Sequence, residues 1–250
     1  MTDHVLVERP EAYPGVQVIR FNRPEKKNAI TREMYAKMTT ALTVAQSDPA
    51  IRVTAFLGTE GCFSAGNDMT DFLAVAMGGS MGREVLDFLR ALASAAKPIV
   101  SGVDGLAIGI GTTIHLHCDL TVASARSLFR TPFVDLALVP EAASSLIAPR
   151  IIGHQRAFAL LAAGEPLEAA EAVTAGLIWK IVDAASVEGT TLSLAAGLAA
   201  KPREALRIAR DLIRGDRTDV LARIDEEAEH FAAQLKSAEA RAAFEAFMRR

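Results

Sequence analysis

A mixed α/β fold built on parallel strands is what this sequence predicts, and three observations carry the prediction. Short apolar, β-branched runs alternate with stretches of helical period, and strands joined through helices pair in parallel. Half of the 250 residues are hydrophobic, enough for one large core. Beyond Val182 the strand signal stops and only helical patterns remain.

Taken in order, Val5-Leu6-Val7 and Val16 to Phe21 read as the first strands. Thr31 stands where an N-cap is needed for a helix from Arg32 to about Gln46. Val53 to Leu57 is a buried strand, followed by the turn Cys62-Phe63-Ser64-Ala65-Gly66-Asn67-Asp68. Gly82 to Ala95 places Val85, Leu86, Leu89 and Leu92 on one helix face. Ile99 to Val103 is the next strand, leading into Gly105-Leu106-Ala107-Ile108-Gly109-Ile110-Gly111, and Leu120 to Ala123 is another. Gln155 to Leu161 and Leu167 to Ala175 are short helices, the second closed by Gly176. Val187 to Ala200, Pro202 to Arg214 and Val220 to Arg249 are helical. The change of character near Ala185 to Thr191 divides a core over residues 1–190 from a helical region over 191–250, which packs on the core or on a neighbouring subunit.

Composition excludes several classes. The net charge is −3 and no Lys/Arg stripe with interleaved aromatics is present, which argues against a nucleic-acid partner. The polar stretch Met1 to Arg9 lacks the apolar core of a signal peptide, and no segment reaches ~18 uninterrupted apolar residues. A soluble cytoplasmic protein without a membrane partner is expected. Cys62 and Cys118 read as free thiols.

The two glycine-bearing turns are the chemical signal. Each follows a strand, and each lets backbone approach a ligand closely. Together they can aim two backbone N–H groups at one oxygen, an oxyanion hole suited to chemistry that builds negative charge on a carbonyl.

Four segments in order resemble the crotonase (enoyl-CoA hydratase/isomerase) superfamily. They are Phe21-Asn22-Arg23-Pro24-Glu25-Lys26-Lys27-Asn28-Ala29, Phe63 to Asp68, Lys97-Pro98 with Gly105 to Gly111, and Cys118-Asp119-Leu120. Phe244, Phe247 and Arg249-Arg250 fit the C-terminal helix of that family. The resemblance implies a spiral of ββα units with a C-terminal helical trimerisation region. It implies acyl-CoA thioester substrates, a homotrimer or dimer of trimers, and no cofactor beyond the coenzyme A of the substrate. By position it assigns the hole to the backbone N–H groups of Asn67 and Ile110. It implies a substrate site drawn from Lys27, Ala29, Ala65, Gly66, Asp68, Met69, Phe72, Gly109, Phe133 and Leu138.

The acid/base residues select the reaction. Hydratases of this family use two glutamates, and the corresponding positions here are Thr113 and Phe133, neither able to take a proton from water. Glu141, in Leu138-Val139-Pro140-Glu141-Ala142-Ala143-Ser144-Ser145, instead resembles the single base of peroxisomal-type Δ3,Δ2-enoyl-CoA isomerases. One carboxylate there carries a proton from C2 to C4. Read locally, a Glu after Pro at a helix start is also ordinary helix-dipole chemistry. The alternatives are another crotonase reaction (hydration, decarboxylation or thioester hydrolysis) or a non-catalytic acyl-CoA binder.

Other residues carry weaker signals. His115 and His117 lack a third ligand, so no metal site is expected. Asp68 shapes the turn or meets the adenine end, Asp119 anchors a strand start, and Asp135 has the wrong spacing for a second acid. Ser64 has no His/Asp partners nearby for a hydrolase. Met69, Phe72, Leu73, Met77 and Met81, with Gly78-Gly79, read as core or as an adaptable acyl-chain wall. Arg23, Lys26 and Lys27 read as surface cations or as CoA phosphate contacts.

Overall fold

The computed structural model describes residues 3–76 and 82–248; Met77, Gly78, Gly79 and Met81 lie outside them, as do Arg249 and Arg250. The long strands form a six-stranded sheet. They are β1 (Val5–Glu8), β2 (Val16–Phe21), β3 (Val53–Leu57), β5 (Ile99–Val103), β7 (Leu120–Ser124) and β10 (Lys180–Val182), in the order β1-β2-β3-β5-β7-β10. Only β1 runs antiparallel to its neighbour; β2, β3, β5, β7 and β10 are parallel.

A second sheet of four very short strands lies beside it, in the order β4 (Cys62–Ser64), β6 (Leu106–Ile108), β8 (Leu128–Arg130), β9 (Leu167–Glu168). The chain therefore visits a long strand, then a short one, three times over: β3 then β4, β5 then β6, β7 then β8. Helices follow each pair: α2 (Met69–Ala76) and α3 (Glu84–Ser94), then α4 (Ile110–Thr113), then α5 (Ser144–Ile152) and α6 (His154–Leu161). This is the repeated ββα arrangement that the resemblance implies.

Period-two alternation distributes the large sheet between two cores. Val16, Val18, Val53, Ala55 and Leu57 face Leu192, Ala195 and Ala199 of α8 (Val187–Ala199). Ile19, Phe21 and Phe56 face the main core, with Tyr35 and Met38 of α1 (Arg32–Ser47) and Phe88 of α3. Both faces being covered, β3 and β5 are buried at every residue, which is why apolar residues dominate them, with only Thr54 and Ser101 polar. Thr31 caps α1 as its position predicts, its hydroxyl accepting from Met34 N at 3.3 Å.

Several expected elements are corrected. Leu167 and Glu168 pair with β8 as strand β9, and the helix there is α7 (Ala169–Ala175), closed by Gly176 in the left-handed region at φ 89°. The Val220 to Arg249 helix is two, α10 (Thr218–Leu235) and α11 (Ala238–Met248); Ser237 breaks it, its hydroxyl accepting from Ala240 N at 3.0 Å. Glu141 does not begin a helix. It precedes α5 by a turn in which Ala142 and Ala143 are both left-handed, at φ 61° and 53°. The helix α9 (Arg203–Arg214) follows α8, and the expected division at residue 190 falls inside α8.

Candidate active site

The two glycine turns meet. Gly66 has φ +89°, and a methyl group there would stand 2.9 Å from Ile108 O; one on Gly109 (φ +57°) would stand 3.9 Å from Gly66 Cα. At 66 both the close approach and the positive φ require glycine, whereas at 109 there is room for a methyl and it is the positive φ that favours glycine. The first turn is held by Ala65 N–H donating to Lys27 O (2.8 Å), Ile30 N–H to Gly66 O (2.8 Å) and Asp68 N–H to Ile30 O (2.9 Å). The Lys27 to Ile30 segment is thus its outer support. Ser64 Oγ donates to Asn28 O (2.9 Å) and accepts from Gly66 N (3.1 Å), a structural use of that serine.

The second turn is held by Gly109 N–H on Arg130 O at 2.8 Å. Ile110 opens α4 with its side chain packed in the main core and 1% exposed. Neither Asn67 N–H nor Ile110 N–H has an acceptor among the described residues.

Glu141 is 6% exposed, and no cation stands among its hydrogen-bond partners. Thr113 Oγ1 donates to its Oε1 at 2.5 Å, while Oε2 has no hydrogen-bond partner among the described residues. Burial pushes its carboxyl up to about 8; the Glu227 carboxylate adds to the rise and the Thr113 hydrogen bond opposes it. The cavity at Glu141 is lined by Asn67, Val85, Leu86, Leu89, Ile224, Ala228 and Phe231, an apolar setting apart from Asn67. The Asn67 side chain is itself fixed: Tyr35 OH donates to Asn67 Oδ1 at 2.6 Å. Burial, with Glu141 nearby, holds the Tyr35 phenol well above its usual range.

A second cavity shares Asn67 and Phe231 with the first and is lined by Ala65, Gly66, Met69, Gly109, Phe133 and Leu138 among others. Asn67, Glu141, Ala65, Gly66, Met69, Gly109, Phe133 and Leu138 therefore come together. No second carboxylate lines either cavity among the described residues.

The remaining expected site residues stand apart from these cavities. Lys27 is exposed at the turn's outer side, and Ala29 O accepts from Arg23 NH1 at 3.0 Å. Asp68 meets Arg23 NH1 at 2.5 Å and accepts from Thr70 N at 2.9 Å, which fixes the start of α2. These bonds hold the turn, with Arg23 as the ion-pair partner of Asp68. Phe72 lies on α2, but its side chain is outside the described residues. Asp135 is exposed and paired with Arg130 NH2 at 3.0 Å. Asp119 anchors the start of β5 by accepting from Ile99 N at 2.8 Å.

Both histidines are buried. His115 Nδ1 lies 2.9 Å from Ser101 Oγ, His117 Nε2 lies 2.7 Å from Ala142 O, and burial lowers them to about 3 and about 4. Both are therefore neutral, and His117 is an N–H donor to a carbonyl.

Tyr35, Glu227 and Phe231 escaped sequence reasoning, as did the role of Thr113 as donor to Glu141. Only Phe231 left a signal there, as part of the helical stripe Ile224, Ala228, Phe231.

Chemically, a buried carboxylate of raised pKa that shares a cavity with Asn67, whose backbone N–H has no acceptor among the described residues, can move a proton on a substrate whose carbonyl oxygen becomes negative.

The sequence profile of the enoyl-CoA hydratase/isomerase family matches residues 11–250. Enoyl-CoA delta isomerase 2 of Rattus norvegicus is 35% identical over 85% of this chain and 56% of its own length. The human protein of that name is covered over 52% of its length, so this chain spans about half of those relatives. The 1,2-epoxyphenylacetyl-CoA isomerase of Escherichia coli is 31% identical over 94% of this chain and 92% of its own. Among solved structures, OdaA of Pseudomonas aeruginosa superposes with a TM-score of 0.93 at 37% identity over the full length of both chains.

Proposed function

This chain belongs to the enoyl-CoA hydratase/isomerase family, and from that premise we propose that it is a Δ3,Δ2-enoyl-CoA isomerase working with one carboxylate. Glu141 Oε2 takes a proton from C2 of a 3-enoyl-CoA thioester. The dienolate oxygen that forms is held by the N–H groups of Asn67 and Ile110. The same carboxyl then returns the proton to C4, leaving the double bond between C2 and C3. The shift is redox-neutral and needs no group beyond the coenzyme A of the substrate.

The observation that supports this reading above hydration is the single carboxylate. Activating a water and protonating a carbon call for a pair of groups, and the residues at the hydratase positions are Thr113, which donates to Glu141, and Phe133, which lines an apolar wall. A one-base shift needs only a group that alternates between carboxylate and acid, and a pKa near the working pH suits both halves of that cycle. The exposure of Lys27 beside the first turn supports a contact with CoA phosphate. The delta isomerases among its relatives supply the same expectation.

The test is direct. With trans-3-enoyl-CoA the protein forms 2-enoyl-CoA, and Glu141→Gln lowers kcat by about 10²–10⁴-fold. With trans-2-enoyl-CoA no 3-hydroxyacyl-CoA accumulates. Undiminished isomerisation by Glu141→Gln, or dominant water addition, would refute the reading; binding of the thioester without turnover points to a non-catalytic binder.

A further inference from the structure

We propose that Glu227 and His117 act as positioning residues for the base, clamping the left-handed Ala142–Ala143 turn that aims Glu141 at the substrate. The inference rests on the role proposed above for Glu141 and names what holds that side chain in place.

The geometry is specific. Glu227 on α10 is 6% exposed, yet both of its oxygens are used: Oε2 accepts from Ala143 N at 2.6 Å, and Oε1 accepts from Ser145 N at 3.0 Å and Ser145 Oγ at 2.5 Å. Burial raises the Glu227 pKa, and the three donors, with Arg223, oppose that rise by favouring the carboxylate. From the opposite side, neutral His117 donates Nε2–H to Ala142 O at 2.7 Å, and its Nδ1 accepts from Arg217 NH2 at 3.3 Å. Two consecutive non-glycine residues in the left-handed region do not stay there unaided, so the N–H and C=O groups of this turn need fixed partners. Ala142 O and Ala143 N receive theirs from elements remote in sequence, while Ala143 O accepts from Leu146 N–H and Ile147 N–H of α5.

The clamp also acts electrostatically. The titratable and charged groups around Glu141 and its turn are Tyr35 from α1, His117 from the 3-10 segment Ile114–His117, Arg217 and Arg214 behind His117, and Glu227 and Arg223 from α10. Of these, Glu227 is the one that raises the Glu141 pKa. Arg223 is turned to Ser145 Oγ, at 3.0 Å, and Arg217 to His117. A glutamine at 227 would remove the charge and set an NH2 group against Ala143 N–H, where two donors cannot bond.

The experiment follows the Glu141 carboxyl itself by 13C NMR in glutamate-labelled protein, its signal assigned by loss in Glu141→Gln. In Glu227→Gln the Glu141 midpoint falls by about half a unit or more as the like charge is removed. For 3-enoyl-CoA, kcat falls about tenfold while KM stays within about twofold, since aim rather than binding is lost. A folded Glu227→Gln protein that keeps both the midpoint and kcat overturns the proposal. Should circular dichroism show that variant unfolded, Ser145→Ala decides: kcat lowered several-fold at unchanged KM supports the clamp, and unchanged kcat overturns it. A midpoint that shifts in Glu227→Gln while Glu141→Gln remains active supports the clamp and sinks the catalytic role instead, so the two failures are separable.

Discussion

At the scale of a residue, Glu141 shows opposing influences of unequal size. Burial raises its pKa and dominates; the Thr113 hydroxyl donates to one oxygen and only partly offsets the rise. Thr113→Val removes that donor with little change of shape, so the Glu141 pKa rises further and the acid limb of kcat/KM moves to higher pH. A pH–rate profile checks this, and a limb that stays in place or moves down refutes it. The same shift has a cost in stability. A carboxyl near 4.5 when unfolded and about 8 when folded makes the native state bind more protons between those values, so stability falls as pH rises through that window. Glu141→Gln removes the effect. Its unfolding free energy exceeds that of the parent at pH 8 by on the order of a few kcal/mol, and the difference closes towards pH 4. Denaturant titrations at both pH values measure it. Glu141 was legible in the sequence from its setting after Pro140 and before small residues. Its partners were not: Thr113 is 28 residues away from it, and Glu227 is 84 residues from Ala143 in the adjoining turn. No local pattern marks a hydrogen bond across such a distance.

At the scale of an element, the site depends on backbone that ordinary side chains cannot copy. Gly66→Ala puts a methyl 2.9 Å from Ile108 O in a left-handed conformation, so either the turn or its neighbour must move. The strain is on the order of 1–3 kcal/mol. The expected result is a lower melting temperature together with loss of kcat, because the turn that carries Asn67, next in the chain, is displaced. A variant as stable and as active as the parent would mean that the two turns are not rigidly matched. These turns were legible because glycine is their signal, and β2, β3 and β5 were legible to the residue because Val, Ile, Leu and Phe dominate strands covered on both faces. The second sheet was not. Its strands are two or three residues long, too short to show a period of two, and they exist only because each lies beside the previous turn's strand. The break at Ser237 was hidden for the opposite reason, since helix formers run on either side of it.

At the scale of the whole molecule, α10 carries Ile224, Ala228 and Phe231 over the Glu141 cavity and Glu227 beneath it, so the C-terminal helices are part of the site rather than an appendage. The neighbouring α9 is arranged inside out for a lone chain. Its buried residue is Arg210, whose Nε meets both Asp119 oxygens at 2.9 and 2.8 Å and whose NH1 donates to Ala95 O at 2.7 Å. Its large apolar residues point outward: Ile208, Leu212 and Ile213 are 45%, 78% and 85% exposed. Leaving so much aliphatic surface on one helix in water forgoes about 25 cal/mol for each Å² that a partner would cover. The homotrimer expected from the family gives this face a place to go. Light scattering on the purified protein should therefore return three or six times 26.6 kDa. Leu212→Asp combined with Ile213→Asp should shift the mass towards that of one chain, because two carboxylates cannot be buried there without partners. The far-UV spectrum should survive, since neither side chain contributes to the core of its own subunit. A parent protein that is monomeric at micromolar concentration, or a double variant that assembles unchanged, would show that α9 is not the joining surface.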